Sequence, residues 1–285
     1  MPRKSFIVDG NERTSLDAFL LATDKPLPLV IVCPGGGFLD CSPNEGEPMA
    51  RRLNSEGFHA AVLTYSTEAS APGACVYPKP LLDLAEAMTI VRDHAAEWLV
   101  DPDKVATLGF SAGGYLCASY ANAYAADERL SPNASILCYP LVDFRRYAAL
   151  GSLDGTMDLG QVTGDARALA FAEFMRASVR GAIGDARLTP ELMDEMSPLD
   201  HLTPGVPPTF VWTTFGDSLV DPAQSIEYAL RLRELKVPCE LHVFGCGDHG
   251  LSLADETTAK KPSSLDPHLA HWATLAAEWL RMTLG

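Results

Sequence analysis

At 285 residues and 47% apolar side chains, the chain has material for a sizeable core, and no stretch approaches the ~20 apolar residues of a membrane-spanning helix. A formal net charge of −15 argues against nucleic acid or an acidic membrane surface as partner and suits neutral or cationic ligands. The seven cysteines (33, 41, 75, 117, 138, 239 and 246) form no C-x-x-C or zinc-type pair, so reduced, mostly buried thiols of a cytosolic protein are expected.

Residues 1–25 read as a short antiparallel start: Phe6-Ile-Val, a polar turn at Asp9-Gly-Asn-Glu, then Leu16 to Leu21. The apolar run there is far shorter than the roughly 7–15 residues of an export signal, so a cytoplasmic location is expected. Leu29-Val-Ile-Val-Cys33 suits a central strand buried on both faces and ends in Pro34-Gly35-Gly36-Gly37-Phe38. A helix follows over 43–57, then the strand His59 to Tyr65. A Pro/Gly-rich loop from Ser70 to Pro80 leads into a long helix from Leu81 to about Leu99, whose apolar positions step by three and four. Asp101-Pro-Asp-Lys reads as a turn, and the apolar run from Val105 leads to Ser111 and a helix reaching about Ala125. Ser135 to Pro140 is the next strand.

Strand–helix alternation of this kind predicts an α/β fold with a mostly parallel central sheet and helices on both faces. Residues 143–206 interrupt it with a Gly/Asp-rich stretch (Leu150 to Asp165), a helix-like run Ala166 to Ile183, and Ser197-Pro-Leu-Asp-His-Leu-Thr-Pro-Gly. That is far beyond the roughly 2–6 residues of an αβ connection, so the segment is expected to be a cap inserted over the sheet's carboxyl edge, within one domain of residues 1–285. The pattern resumes with strand Thr209 to Phe215, a helix from about Pro222 to Leu235, strand Glu240 to Phe244, and a final helix from about Pro267 to Met282.

Gly109-Phe-Ser111-Ala-Gly113 fits G-x-S-x-G between a strand and a helix. A serine forced onto so sharp a turn adopts a strained backbone, and its flanking glycines let neighbouring backbone come close. Asp217 and His249 each fall just past a strand, which in a parallel sheet puts them at the same edge as Ser111. A serine hydroxyl is a poor nucleophile at neutral pH; an imidazole can take its proton, and a carboxylate can fix the tautomer and stabilise the imidazolium. Asp221 and Asp143 also follow strands; Asp217 comes first after its strand, in a Gly-Asp-x-x-Val setting, and Asp248 adjoins His249 too closely to orient its ring. Of the seven histidines only His249 sits in a Gly-rich loop after a late strand, and no pair has metal-site spacing. No metal is expected. Gly35-Gly36-Gly37 reads as a phosphate cradle, a plain glycine turn or an oxyanion hole. Its place after an early strand favours the last, with Gly36, Gly37 and Ala112 as N–H donors.

The chain resembles the esterase/lipase branch of the α/β-hydrolases and is similar to acetylesterases and acetylxylan-esterase-like carbohydrate esterases. The stretches that carry the resemblance are Cys33-Pro-Gly-Gly-Gly-Phe38, Asp101-Pro-Asp-Lys-Val105 running into Gly-Phe-Ser-Ala-Gly-Gly114, Pro207-Pro-Thr-Phe210, Gly216-Asp-Ser-Leu-Val220 with Ser225, and Glu240-Leu-His-Val-Phe244 closing on Asp248-His-Gly-Leu-Ser-Leu253. The order Ser…Asp…His is that of the fold. The resemblance implies a Ser–His–Asp triad at Ser111, His249 and Asp217, no cofactor, and hydrolysis of short acyl esters through an acyl-enzyme. Its small ester substrate would be an acetylated oligosaccharide, and a homo-oligomer is compatible with it. Pro34 replaces the histidine of the wider branch, Val220-Asp-Pro replaces the usual Val-Pro, and 150–165 extends the cap; these departures bear on substrate more than on mechanism. Phe38, Tyr115, Phe171 and Phe174 are expected near the pocket, the last two being at core-like helical spacing. The rival readings are a general short-chain carboxylesterase, a peptidase of the same fold, and a catalytically silent binding module.

Overall fold

In the computed structural model, residues 4–8, 10–70, 72, 77–150, 166–184 and 186–285 are described. The strands are β1 (Lys4–Val8), β2 (Asn11–Phe19), β3 (Leu27–Cys33), β4 (His59–Thr64), β5 (Val100–Phe110), β6 (Ala134–Cys138), β7 (Thr209–Thr214) and β8 (Cys239–Phe244), with an apolar, β-branched run in β3 at the middle of the sheet and more polar strands at its edges. They make one eight-stranded sheet in the order β1-β2-β4-β3-β5-β6-β7-β8. The pairs β1/β2 and β2/β4 are antiparallel, and every pair from β4 to β8 is parallel.

The helices are α1 (Glu47–Ser55), α2 (Lys79–Asp93), α3 (Ala95–Trp98), α4 (Ala112–Ala123), α5 (Phe144–Leu150), α6 (Ala166–Ile183), α7 (Pro190–Glu195), α8 (Ala223–Glu234) and α9 (Trp272–Leu284). Side chains alternate across the sheet and divide the core in two. Leu29 and Ile31 face Leu84 and Met88 of α2, Leu116 of α4 and Leu232 of α8. Val30 and Val32 belong instead to the cluster containing Met49 and Leu53 of α1 and Trp272 and Trp279 of α9. Burying each such side chain contributes about 1.5–3 kcal/mol, which accounts for helices on both faces.

A third cluster joins Phe144 and Tyr147 of α5, Met175 and Val179 of α6, and Met196 after α7 to Phe38 and Ala112. The inserted helical region therefore packs on the two segments that follow β3 and β5 at their carboxyl ends. Of its helices, α6 has the bounds read from its pattern. The short α5 and α7 were not legible, α7 being set by a local cap in which Thr189 Oγ1 accepts Leu192 N–H at 3.2 Å. The Gly/Asp-rich stretch 151–165 and Cys75 lie outside the described residues.

Other boundaries move for physical reasons. Asp101-Pro-Asp-Lys, expected as a turn, lies inside β5. Leu27 pairs with Val100 and Leu29 with Val105, so the four residues bulge from the ladder, with Asp103 N–H turned back onto Asp101 Oδ1 at 3.1 Å. The helix expected over 81–99 breaks at His94, and Leu99 takes φ +53°. Residues Pro43–Glu45 form a 3₁₀ turn before α1 rather than its first turn. The last helix begins at Trp272 because Asp266 Oδ1 holds the N–H groups of His268 and Leu269, both at 3.0 Å, in a turn ahead of it. Among the described residues no helix is long and apolar enough to cross a membrane.

Candidate active site

The sharp turn at Ser111 joins β5 directly to α4. Ser111 has φ +52° and ψ −114°, a conformation that costs an L-residue about 1–3 kcal/mol and persists only where its surroundings enforce it. Ser111 N–H donates to Cys138 O at 3.0 Å and Ser111 O accepts Tyr115 N–H at 2.9 Å, which ties the turn to β6 and to the helix. The glycines around it are there for space. A methyl built on Gly113 would lie 2.0 Å from Cys33 O, and one on Gly109 would lie 2.1 Å from Gly113 O. Since backbone cannot yield as a side-chain tip does, Gly113→Ala is expected to destabilise the fold by about 3 kcal/mol or more, read from its urea midpoint.

At the carboxyl ends of β7 and β8 the chain brings a carboxylate and an imidazole to this serine. Phe215 N–H continues the ladder to Phe244 O at 2.9 Å, and Gly216 lies against Gly247, where an added methyl would meet Gly247 O at 2.4 Å. His249 Nδ1–H donates to Asp217 Oδ2 at 2.7 Å, and His249 Nε2 accepts Ser111 Oγ–H at 2.7 Å. Asp217 Oδ1 is held by the N–H groups of Leu219 at 3.0 Å and Val220 at 2.8 Å. The side chains of Asp217 and His249 are 1% and 11% exposed, so their interaction is little screened. The ring of Tyr139 meets the imidazole edge to face at 4.9 Å.

The rival carboxylates are engaged elsewhere. Asp221 lies 3.6 Å from Arg146 and accepts Ala223 N–H at the start of α8; Asp143 lies 3.1 Å from Arg146. Asp248 accepts Ser218 Oγ–H and the His249 backbone N–H, leaving the ring alone. The other histidines have structural partners. His59 bridges Leu21 N–H and Leu99 O, and burial lowers its pKa; His94 stacks on Trp98; His242 meets Glu240.

Gly36, with φ +138°, could carry no side chain, since a methyl there would lie 1.8 Å from Asp40 O. A methyl on the neighbouring Gly35 would lie 3.0 Å from Ser111 Cβ, so the glycine loop runs past the serine. Among the described residues, the backbone N–H groups of Gly36, Gly37 and Ala112 donate to no protein acceptor. Phe38 meets Tyr115 edge to face at 5.3 Å, and both are core in the third cluster; Phe171 and Phe174 pack against it partly buried. Beside Ala112 an enclosed apolar cavity of about 10 Å³ is lined by Phe38, Tyr65, Tyr77, Leu81, Tyr115 and Met196. Cys33 and Cys246, close to this edge in sequence, stand apart: Cys33 is buried, with its thiol pushed up in pKa by burial, and Cys246 is exposed near Asp266. Among the described residues no cluster of three or more His, Cys, Asp or Glu is placed to hold a metal ion.

Sequence reasoning missed two residues here, Glu45 and Tyr139. Glu45 is 4% exposed, accepts Gly35 N–H at 2.8 Å and Tyr139 O–H at 2.6 Å, and has its pKa raised by burial. Nothing in Pro-Asn-Glu-Gly-Glu marks that glutamate for the interior. Nor does the pattern reveal that Tyr139 leaves β6 with φ +38°.

A mostly parallel sheet in this order, with a strained serine between its fifth strand and the following helix, is the architecture of the α/β-hydrolases, and the chain resembles the esterase/lipase branch of that fold. The BD-FAE family model matches residues 16–232, and the chain belongs to that family. The match takes in Ser111 and Asp217 and stops short of His249. Endo-1,4-beta-xylanase B of Butyrivibrio fibrisolvens is 30% identical over 251 residues, 85% of this chain and 35% of that protein. The acetylxylan esterase of Xylanibacter ruminicola is 26% identical over 245 residues, 85% of this chain and 44% of that protein. This chain thus spans less than half of either relative. The crystal structure of an acetyl ester-xyloside bifunctional hydrolase from Caldicellulosiruptor lactoaceticus superposes with TM-score 0.77 at 28% identity, covering 99% of this chain and 97% of that one.

Proposed function

We propose that the protein is a serine esterase that hydrolyses short acyl esters, acetyl esters of carbohydrates above all. The observation that carries this is the unbroken hydrogen-bond chain from Ser111 Oγ through His249 to Asp217, at 2.7 Å in each link. In this reading His249 Nε2 takes the Ser111 proton as Oγ bonds to the ester carbonyl carbon. Asp217 keeps Nδ1 protonated and stabilises the imidazolium that results. The negative charge on the former carbonyl oxygen is met by the N–H groups of Gly36, Gly37 and Ala112. Collapse expels the alcohol, which takes its proton from His249, and leaves an acyl-serine. Water, deprotonated by the same imidazole, then releases the acid.

The acetyl preference and the carbohydrate alcohol both draw on the acetylxylan esterase and the acetyl ester-xyloside hydrolase that the chain is similar to. We read α5 to α7 as part of a cap that shapes the alcohol side, within a single domain. A reducing, cytoplasmic setting belongs to the same reading and is supported by the free thiols of Cys33, Cys117 and Cys138.

Initial rates on p-nitrophenyl acetate, butyrate and octanoate, an acetylated xylo-oligosaccharide and an aminoacyl p-nitroanilide test it. The acetyl esters are expected to exceed the octanoate by about tenfold or more in kcat/KM. Preference for the octanoate removes the acetyl assignment, and turnover of the anilide alone makes the protein a peptidase.

A further inference from the structure

A second buried carboxylate touches both halves of this machinery without belonging to it. Glu45 accepts hydrogen bonds on both oxygens, Gly35 N–H on Oε2 and Tyr139 O–H on Oε1, while the Tyr139 hydroxyl itself accepts Ser252 N–H at 3.1 Å. Two donated protons and none given is the pattern of an ionised carboxylate. Burying such a charge costs several kcal/mol unless hydrogen bonds and opposite charge offset it, and a hydrophobic side chain would fill the space without that cost. Both partners of Glu45 lead to the reacting groups. On one side a methyl built on Gly35 would lie 2.8 Å from Glu45 Oε2 and 3.0 Å from Ser111 Cβ, and Gly35 continues into Gly36 and Gly37. On the other, the Tyr139 ring lies 4.9 Å from the His249 ring at an interplanar angle of 68°.

We infer that Glu45 is a positioning residue for ester cleavage: through Gly35 and Tyr139 it holds the Gly36–Gly37 N–H groups and the His249 imidazole in register around Ser111. This rests on the roles proposed above for Ser111, His249 and Asp217. The carboxylate also supplies negative charge to the cluster in which His249 becomes an imidazolium, so it favours the charged form that the transition state requires. The other ionisable groups around His249 are Asp217 from the loop after β7, Asp248 beside it in the loop after β8, and Tyr139 after β6. Lys261 and Lys260, from the segment before α9, act electrostatically on Asp248 and Glu45 respectively.

The test compares Glu45→Gln and Tyr139→Phe with the parent on p-nitrophenyl acetate, measuring kcat, KM and the pH profile of kcat/KM. Stoichiometric fluorophosphonate labelling counts correctly folded sites, and Ser111→Ala serves as the control for the parent reading. Glu45→Gln is expected to lower kcat roughly tenfold or more, short of the ~10²–10³ that loss of an oxyanion donor costs, with KM within about threefold. Its acid limb is expected at lower pH, because removing a negative charge lowers the imidazole pKa. Tyr139→Phe keeps the ring but leaves Glu45 Oε1 without its donor, and is expected to lower kcat with the acid limb less displaced. A labelled, folded Glu45→Gln enzyme with parental kcat and acid limb overturns the inference; if that variant does not fold, parental kcat in Tyr139→Phe does so. Turnover surviving in Ser111→Ala would instead overturn the parent reading.

Discussion

Replacing Ser111 with alanine is expected to lower kcat on an acetyl ester by about 10⁴–10⁶-fold while leaving the fold intact. The hydroxyl is the only atom removed, and with it the bond to His249 Nε2. Alanine at φ +52° is no more strained than serine there, so the turn persists, held by its bonds to Cys138 O and from Tyr115 N–H. Residual turnover should reflect whatever the N–H donors and substrate positioning do unaided. Stopped-assay rates on p-nitrophenyl acetate measure the loss, and fluorophosphonate labelling with peptide mapping locates the nucleophile. Parental turnover in the variant, or a label elsewhere than Ser111, would show that the assigned serine is not the one that attacks.

The serine could be recognised from sequence because its constraints are local. A strand, one residue of forced geometry and a helix occupy adjacent positions, and the glycines exclude side chains from places that neighbouring backbone fills. Asp217 and His249 could be found because a parallel sheet sends the carboxyl ends of β7 and β8 to the edge where β5 ends, so topology substitutes for proximity in sequence. The choice among Asp217, Asp221 and Asp143 was open on spacing. Arg146 decides much of it: its guanidinium draws both Asp143 and Asp221, and no periodicity announces that contact. The β5 bulge was misread for a related reason. Asp101-Pro-Asp-Lys has turn chemistry and makes a local turn-like bond, yet the ladder resumes on both sides of it.

Glu45 was beyond sequence reasoning altogether. A glutamate between asparagine and glycine is ordinarily a solvated turn residue, and only partners distant in the chain, Tyr139 at 2.6 Å and the Gly35 amide at 2.8 Å, account for its burial. The short helices α5 and α7 were obscured similarly. Their apolar faces form a cluster with Phe38 and Ala112, residues far away in the chain, and they carry too few turns for a period to show. What is local or fixed by sheet topology is therefore readable, whereas what depends on a polar side chain finding a distant partner is not.

Asp217→Asn is expected to lower kcat by about 10⁴-fold, with little effect on stability or KM, and the hydrogen bonds of this chain give the reason. Oδ1 of Asp217 already accepts the N–H groups of Leu219 and Val220, at 3.0 and 2.8 Å. An asparagine must keep its carbonyl oxygen there, because its NH₂ would face two donors. That fixes the NH₂ at the position of Oδ2, 2.7 Å from His249 Nδ1 in the parent, where it donates instead of accepting. His249 then carries its proton on Nε2 and turns an N–H toward Ser111 Oγ, so it cannot take the serine proton. The substituted site keeps its shape and loses its base. Asp221→Asn, which weakens a partly exposed contact with Arg146 at 3.6 Å and can keep its carbonyl oxygen on Ala223 N–H, is expected to change kcat by less than about threefold. Measured side by side on one acetyl ester, equal losses in the two variants, or a larger one at Asp221, would reassign the acid; a loss confined to Asp217 would leave its carboxylate as the group that orients His249.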